Sequence, residues 1–220
     1  MQSRGAFYVT IASIGVGSLA LFCVLAWQLS LGGNMVRVDE ELALRLHSSA
    51  GPWGIFALKV VTFFGDFAAL TTIAIIAGAL LLRARAHGLA VGWACAMIGT
   101  GIFNEVLKRA FARPRPGFAE PIVTAGGFSF PSGHSMGTMV AVSMLAYAAF
   151  RWVKSVKWRR FTIAFAVVWT VTMGFSRMYL GVHYLSDVIA GFAAGGAWSC
   201  LCMAGLEIVR RRQASPGPAL

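Results

Sequence analysis

The chain has 220 residues, 58% of them hydrophobic and only 12% charged, with long apolar runs recurring from end to end. That excludes an ordinary soluble domain: a helix crossing roughly 30 Å of hydrocarbon needs about 20 apolar residues, so this length holds six spans, short loops and little else. The net charge of +11 does not point to nucleic acid, because Lys and Arg lie between apolar runs and no basic helix is left over to read a groove.

In chain order, the run from Ala6 to Leu31 is too long for a cleaved signal core and lacks a small-residue cleavage site, so it is expected to be the first span. Gly32 to Pro52 follows, where Asp39, Glu40, Glu41 and Arg45 surround Leu42, Leu44 and Leu46. This predicts a short amphipathic helix at the interface. The next apolar run, Ile55 to Leu82, carries Lys59 and Asp66 and exceeds one perpendicular crossing. Asp66 can cap a span ending at Leu82, leaving Ile55 to Phe64 as an interfacial approach; an acid at membrane depth is also a candidate for a role near a site. A third span runs from Leu89 to Val106 and meets Lys108. An Arg-, Pro- and Gly-rich loop then leads to Pro131, and three further spans cover Ser135 to Phe150, Phe161 to Phe175 and Tyr184 to Ile208. The expected fold class is therefore all-α, a polytopic membrane protein with six transmembrane helices and a short interfacial helix, forming a single domain over 1–220. Cys23, Cys95, Cys200 and Cys202 fall inside apolar segments without metal-site spacing, and are expected to be lipid-facing or packed thiols.

Orientation follows from the asymmetry of positive charge, since Lys and Arg near span ends are retained in the cytoplasm. One side collects Arg4, Arg83, Arg85, Arg151, Lys154, Lys157, Arg159, Arg160, Arg210, Arg211 and Arg212. The other holds Arg37, Arg45, Lys59, Lys108, Arg109, Arg113, Arg115 and Arg177. Both termini are thus expected in the cytoplasm of a bacterial inner membrane, with the loops after the third and fifth spans facing outward.

Those outward loops carry the polar residues that suggest chemistry. His183 and Asp187, four apart, lie on one face of a helix. A carboxylate bonded to one imidazole nitrogen fixes the tautomer and leaves the other free to attack. A second histidine, His134, follows Ser132 and Gly133 at the start of the fourth span, where backbone N–H groups and the helix dipole favour phosphate. Lys108, Arg115 and Arg177 supply three positive charges that can offset a phosphate and the charge developing on it during transfer. Pro114 and Pro116 stop the third helix and restrict the loop around Arg115. No carboxylate cluster is available for a metal.

Lys108, six residues, Arg115-Pro116; then Pro131-Ser132-Gly133-His134; then Ser176-Arg177, five residues, His183, three residues, Asp187: this pattern resembles the three-part signature of the type 2 phosphatidic acid phosphatase (lipid phosphate phosphatase) superfamily. Every signature position is filled over 108–187. The resemblance implies that His183 attacks phosphorus with support from Asp187, and that His134 protonates the leaving oxygen. It further implies that Lys108, Arg115, Ser132, Gly133 and Arg177 hold the phosphate, and that no metal or other cofactor takes part. The implied partner is a membrane lipid phosphate such as undecaprenyl diphosphate, phosphatidylglycerol phosphate, phosphatidic acid or a lipid A phosphate. The same signature would serve a phosphotransferase passing phosphate to a glycolipid. Six apolar spans argue against the soluble vanadium haloperoxidases, whose vanadate site is similar, and a transporter would not need two histidines and an acid at these spacings.

Overall fold

The apolar runs fold as eight helices, and no strand occurs among the described residues. The computed structural model describes residues 4–214, so 1–3 and 215–220 of the expected single unit, and the side chains of Arg4, Gln213 and Ala214, lie outside it. The helices are α1 (Arg4–Leu31), α2 (Asn34–Ser48), α3 (Pro52–Phe63), α4 (Phe67–Arg83), α5 (His87–Phe111), α6 (Gly133–Trp152), α7 (Val156–Tyr179) and α8 (Leu185–Ala214). Pro52 sits in the first turn of α3, where a missing N–H is harmless. All four cysteines are free; Cys23 and Cys95 are exposed, Cys200 is buried and Cys202 is intermediate.

Four helices, α1, α5, α7 and α8, are long and apolar enough to cross a membrane. Helices α3 and α4, bent by 43° at the break between them, form a fifth candidate as one broken unit. The fourth expected span, α6, falls short of the same apolar standard because His134, Ser135, Thr138 and Ser143 dilute it. Its surroundings explain how it tolerates them. It packs against α5, α7 and α8, and Ser135, Met136, Thr138, Val140, Ala141 and Met144 are all buried in those contacts. The outer surface is instead apolar, with Val16, Trp27, Ile75, Val91, Ile98 and Val168 exposed. That distribution suits lipid in place of water.

Lipid supplies no hydrophobic drive between helices, so close approach depends on small residues. Gly191 and Gly195 of α8 lie one turn apart against α6: a Cβ on Gly191 would stand 2.7 Å from the Ser132 carbonyl oxygen, and one on Gly195 2.8 Å from that of Met136. Indole N–H groups add bonds between helices, from Trp93 Nε1 to the Ala74 carbonyl (2.8 Å) and from Trp198 Nε1 to that of Ala96 (2.9 Å). One end of the bundle is basic, and there Glu207 accepts from Tyr147 Oη (2.7 Å) and pairs with Arg151 and Arg210. The opposite end gathers the end of α5, the start of α6, the end of α7 and the α3–α4 corner around one cavity.

Gly191→Ala would push α8 off the α6 backbone, an overpacking expected to destabilise by about 1–3 kcal/mol. Thermal unfolding in detergent should show a lower midpoint for Gly191→Ala and no loss for Gly101→Ala, where a Cβ meets nothing within 4 Å.

Candidate active site

Helix α5 ends where Ala112 adopts a left-handed conformation (φ 45°), and Pro114 prevents the helix from resuming. The turn directs Arg113 inward. Its guanidinium donates from Nη2 to Asp39 Oδ2 (2.8 Å) and from Nη1 to Asp187 Oδ1 (2.7 Å) and Ser186 Oγ (2.7 Å), and lies over the Tyr184 ring at 4.1 Å. Asp39 also accepts from the Ser186 N–H (3.0 Å) and hydroxyl. These groups are almost wholly enclosed: Arg113 is 6% exposed, Asp39 2% and Asp187 0%. Asp39, one of the charged residues expected around the leucines of an amphipathic helix, is thus enclosed. Asp39 shares the α2 face of Leu42, Ala43 and Leu46, and that face turns inward because Arg113 neutralises the acid.

Asp187 in turn addresses His183. Its Oδ2 accepts from the Tyr184 N–H (2.9 Å) and lies 3.4 Å from His183 Nδ1, longer than a formed hydrogen bond. The other ring nitrogen, Nε2, is 3.1 Å from Arg115 Nη1. A guanidinium can only donate, so Nε2 carries the lone pair and Nδ1 the proton that faces Asp187. Burial, reinforced by the Arg115 and Arg177 charges and opposed by Asp187, pushes the His183 pKa down to about 3. The imidazole is therefore neutral at physiological pH, the form able to act as a nucleophile. Gly181, at φ +73°, makes the turn after α7 that sets His183 at this position.

The cavity, of about 690 Å³, is lined by Lys108, Arg115, Gly133, His134, Arg177 and His183, six of the eight residues singled out from sequence. Lys59, Thr62, Asp66 and the segment 121–125 complete it. Arg115 is clamped by the carbonyls of Gly126 (3.0 Å from Nη2) and Val182 (2.8 Å from Nη1). Arg177 donates to the Thr62 hydroxyl, while its Nε, though buried, has no protein partner. Lys108 likewise has none among the described residues. At the start of α6 the N–H groups of Gly133 and His134 likewise have no acceptor among the described residues, which is how a helix start presents itself to an anion.

Asp187 and Ser132 do not line the cavity. Asp187 stands behind His183. Ser132 is the N-cap of α6, its hydroxyl accepting from the Ser135 N–H (3.4 Å) and hydroxyl (3.0 Å), and its own N–H donates to the Asp187 carbonyl (3.0 Å). Asp66 occupies the N-cap position of α4 but makes no capping bond. Its Oδ1 instead lies 2.8 Å from His134 Nε2, so of its two expected places the one near the site is realised, and Nε2 carries the proton. Sequence reasoning passed over Asn104, whose Nδ2 donates to the Pro131 carbonyl (3.3 Å) and steadies the turn into α6, and Arg113, the other half of the Arg-Pro-Arg-Pro run. Among the described residues no three His, Cys, Asp or Glu side chains converge to hold a metal ion.

The helical bundle and its cation-lined cavity are those of a membrane-embedded phosphatase. The chain belongs to the PAP2 superfamily, which matches residues 88–210. It is 35% identical over 161 residues to phosphatidylglycerophosphatase B of Bacillus subtilis, covering 71% of this chain and 77% of that protein. Lipid A 1-phosphatase of Rhizobium etli is 36% identical over 166 residues, covering 65% and 67% respectively. The crystal structure of a transmembrane PAP2 type phosphatidylglycerolphosphate phosphatase from Bacillus subtilis superposes with a TM-score of 0.82 and 30% identity, covering 90% of this chain and 98% of that one.

Removing one member of a buried ion group leaves the others unpaired, at a cost of about 3–5 kcal/mol. Arg113→Met is expected to destabilise by that amount, and Arg113→Met with Asp39→Leu by less than the sum of the single changes, since the two share one interaction. Chemical unfolding of the four proteins of this double-mutant cycle measures both.

Proposed function

We propose that this chain is an integral membrane lipid phosphatase that hydrolyses a lipid phosphate or diphosphate through a phosphohistidine on His183. The observation that carries the proposal is the His183 Nε2 lone pair at the wall of a cavity where Lys108, Arg115 and Arg177 converge. Phosphate oxygens would take over the Arg115 donor now bonded to Nε2, and would meet Lys108, Arg177 Nε and the N–H groups of Gly133 and His134. The Nε2 lone pair attacks phosphorus in line with the departing oxygen, and the P–O bond breaks as its electrons move to that oxygen. His134, as the imidazolium paired with Asp66, gives its Nε2 proton to that oxygen and is left neutral. Asp187 accepts from Nδ1–H and stabilises the ring as it becomes cationic. Neutral His134 then takes a proton from water as the water oxygen attacks phosphorus, releasing inorganic phosphate and free His183. The cations supply the charge that a metal supplies in other phosphatases.

In the bilayer, α6 completes six crossings, enclosed by the other helices, with α2 at the interface. Eleven Lys and Arg at the basic end favour a cytoplasmic position for that end and for both termini. The cavity then opens to the outside of a bacterial inner membrane. Phosphatidylglycerol phosphate and lipid A phosphate are candidate substrates on the strength of the relatives' names, alongside undecaprenyl diphosphate and phosphatidic acid.

Purified protein should release phosphate from at least one of these lipids in excess chelator and be inhibited by vanadate; a requirement for a divalent ion would overturn the mechanism. His183→Ala should abolish turnover. Asp187→Asn should lower kcat by about 10²–10⁴ without moving the acid limb between pH 5 and 8, because His183 does not charge until about pH 3. His134→Ala should lose more kcat/KM on phosphatidic acid, whose alkoxide needs a proton to leave, than on a lipid diphosphate, whose departing phosphate does not. Equal losses on both would remove His134 as proton donor.

A further inference from the structure

The charge of the cavity exceeds what one phosphate monoester needs. Lys59, Lys108, Arg115 and Arg177 line it against a single carboxylate, Asp66, leaving three positive charges to face a group that carries about two negative ones at neutral pH. Three of the four cations belong to the signature of the sequence. Lys59 does not; it comes from α3, on the edge between exposed Phe63 and buried Thr62. Its ammonium has no hydrogen bond or ion pair among the described residues, unlike Arg115 and Arg177, which carbonyl and hydroxyl oxygens hold in place. The remaining wall, 121–125, is uncharged, so a second anion entering the cavity would have no other free cation to meet once Lys108 is on the reacting phosphate. The volume of about 690 Å³ leaves room for that second group.

Resting on the phosphatase proposal above, we infer that Lys59 is a specificity residue that holds a second anionic phosphate of the substrate, close in the covalent structure to the phosphate that is removed. Two sources offer that chemistry: the inner phosphate of a lipid diphosphate, and a phosphodiester joining the lipid to a phosphorylated headgroup. The ammonium stays a point charge without a fixed geometry, so it selects for the presence of the second anion more than for its exact placement.

The test uses the full chain in detergent micelles and two matched pairs: a polyprenyl monophosphate and diphosphate of one chain length, and phosphatidic acid and phosphatidylglycerophosphate with the same acyl chains. Lys59→Met keeps the apolar stem and removes the charge. It should lower kcat/KM about tenfold or more, chiefly through KM, on the two-phosphate member of at least one pair. On the one-phosphate partner it should change less than twofold, which also shows that the variant is folded. Lys59→Arg should restore most of the loss. The pair that responds identifies the source of the second phosphate. Equal losses within both pairs, or no loss in either, would overturn the assignment. Wild-type protein that releases phosphate from none of the four would instead overturn the phosphatase proposal, and this one with it.

Discussion

Arg113 lies between two carboxylates from distant parts of the chain, Asp39 on α2 and Asp187 on α8, with all three almost fully enclosed. Taking such charges out of water is expensive, and is repaid only when geometry and hydrogen bonds are nearly complete. Here they are. Asp39 accepts from Arg113, from the Ser186 N–H and from its hydroxyl, and Asp187 from Arg113 and the Tyr184 N–H. The result is a carboxylate that cannot rotate, facing His183 Nδ1. The short helix α2 is thereby coupled to the orientation of an imidazole in the cavity.

The basic residues divide into two groups with opposite fates. Arg113 is matched by acids and serves cohesion, whereas Lys59 and Lys108 form no ion pair among the described residues and keep their charge available to a ligand. Arg115 stands between these cases, held by carbonyl dipoles that fix its position without neutralising it. The glycine contacts between α6 and α8 set the spacing on which this depends: the Ser132 N–H bonds to the Asp187 carbonyl where the two backbones nearly touch. The helix start facing the cavity and the carboxylate behind His183 are thus parts of one rigid junction.

Much of the cavity was legible in the sequence because its residues sit at helix ends with short-range spacing. Lys108, Gly133, His134, Arg177 and His183 were found from their places beside apolar runs, and the runs themselves marked α1, α5, α7 and α8, of which α5 and α8 continue past the expected ends to Phe111 and Ala214. What escaped was non-local. Asp39 and Arg113 are 74 residues apart, and each alone reads as a solvated charge; only the inward turn at Ala112 makes them partners. An acid on the Leu42, Ala43 and Leu46 face was the available clue. Asp66 was legible as a helix start, but its choice of His134 over its own backbone depends on the bend between α3 and α4. Helix α6 shows the limit of hydropathy, since its polar residues face protein, and apolar content measures only what faces lipid.

Helix α8 follows α1 to α7 in the chain, yet it supplies Asp187, the glycines that receive α6, and the Ser186 contact to α2. A chain emerging from the ribosome therefore holds its cations at the ends of α5 and α7 before their organising helix exists. Helix α6 therefore finds its enclosure only once α8 follows it, and the carboxylate that faces His183 arrives with the same helix.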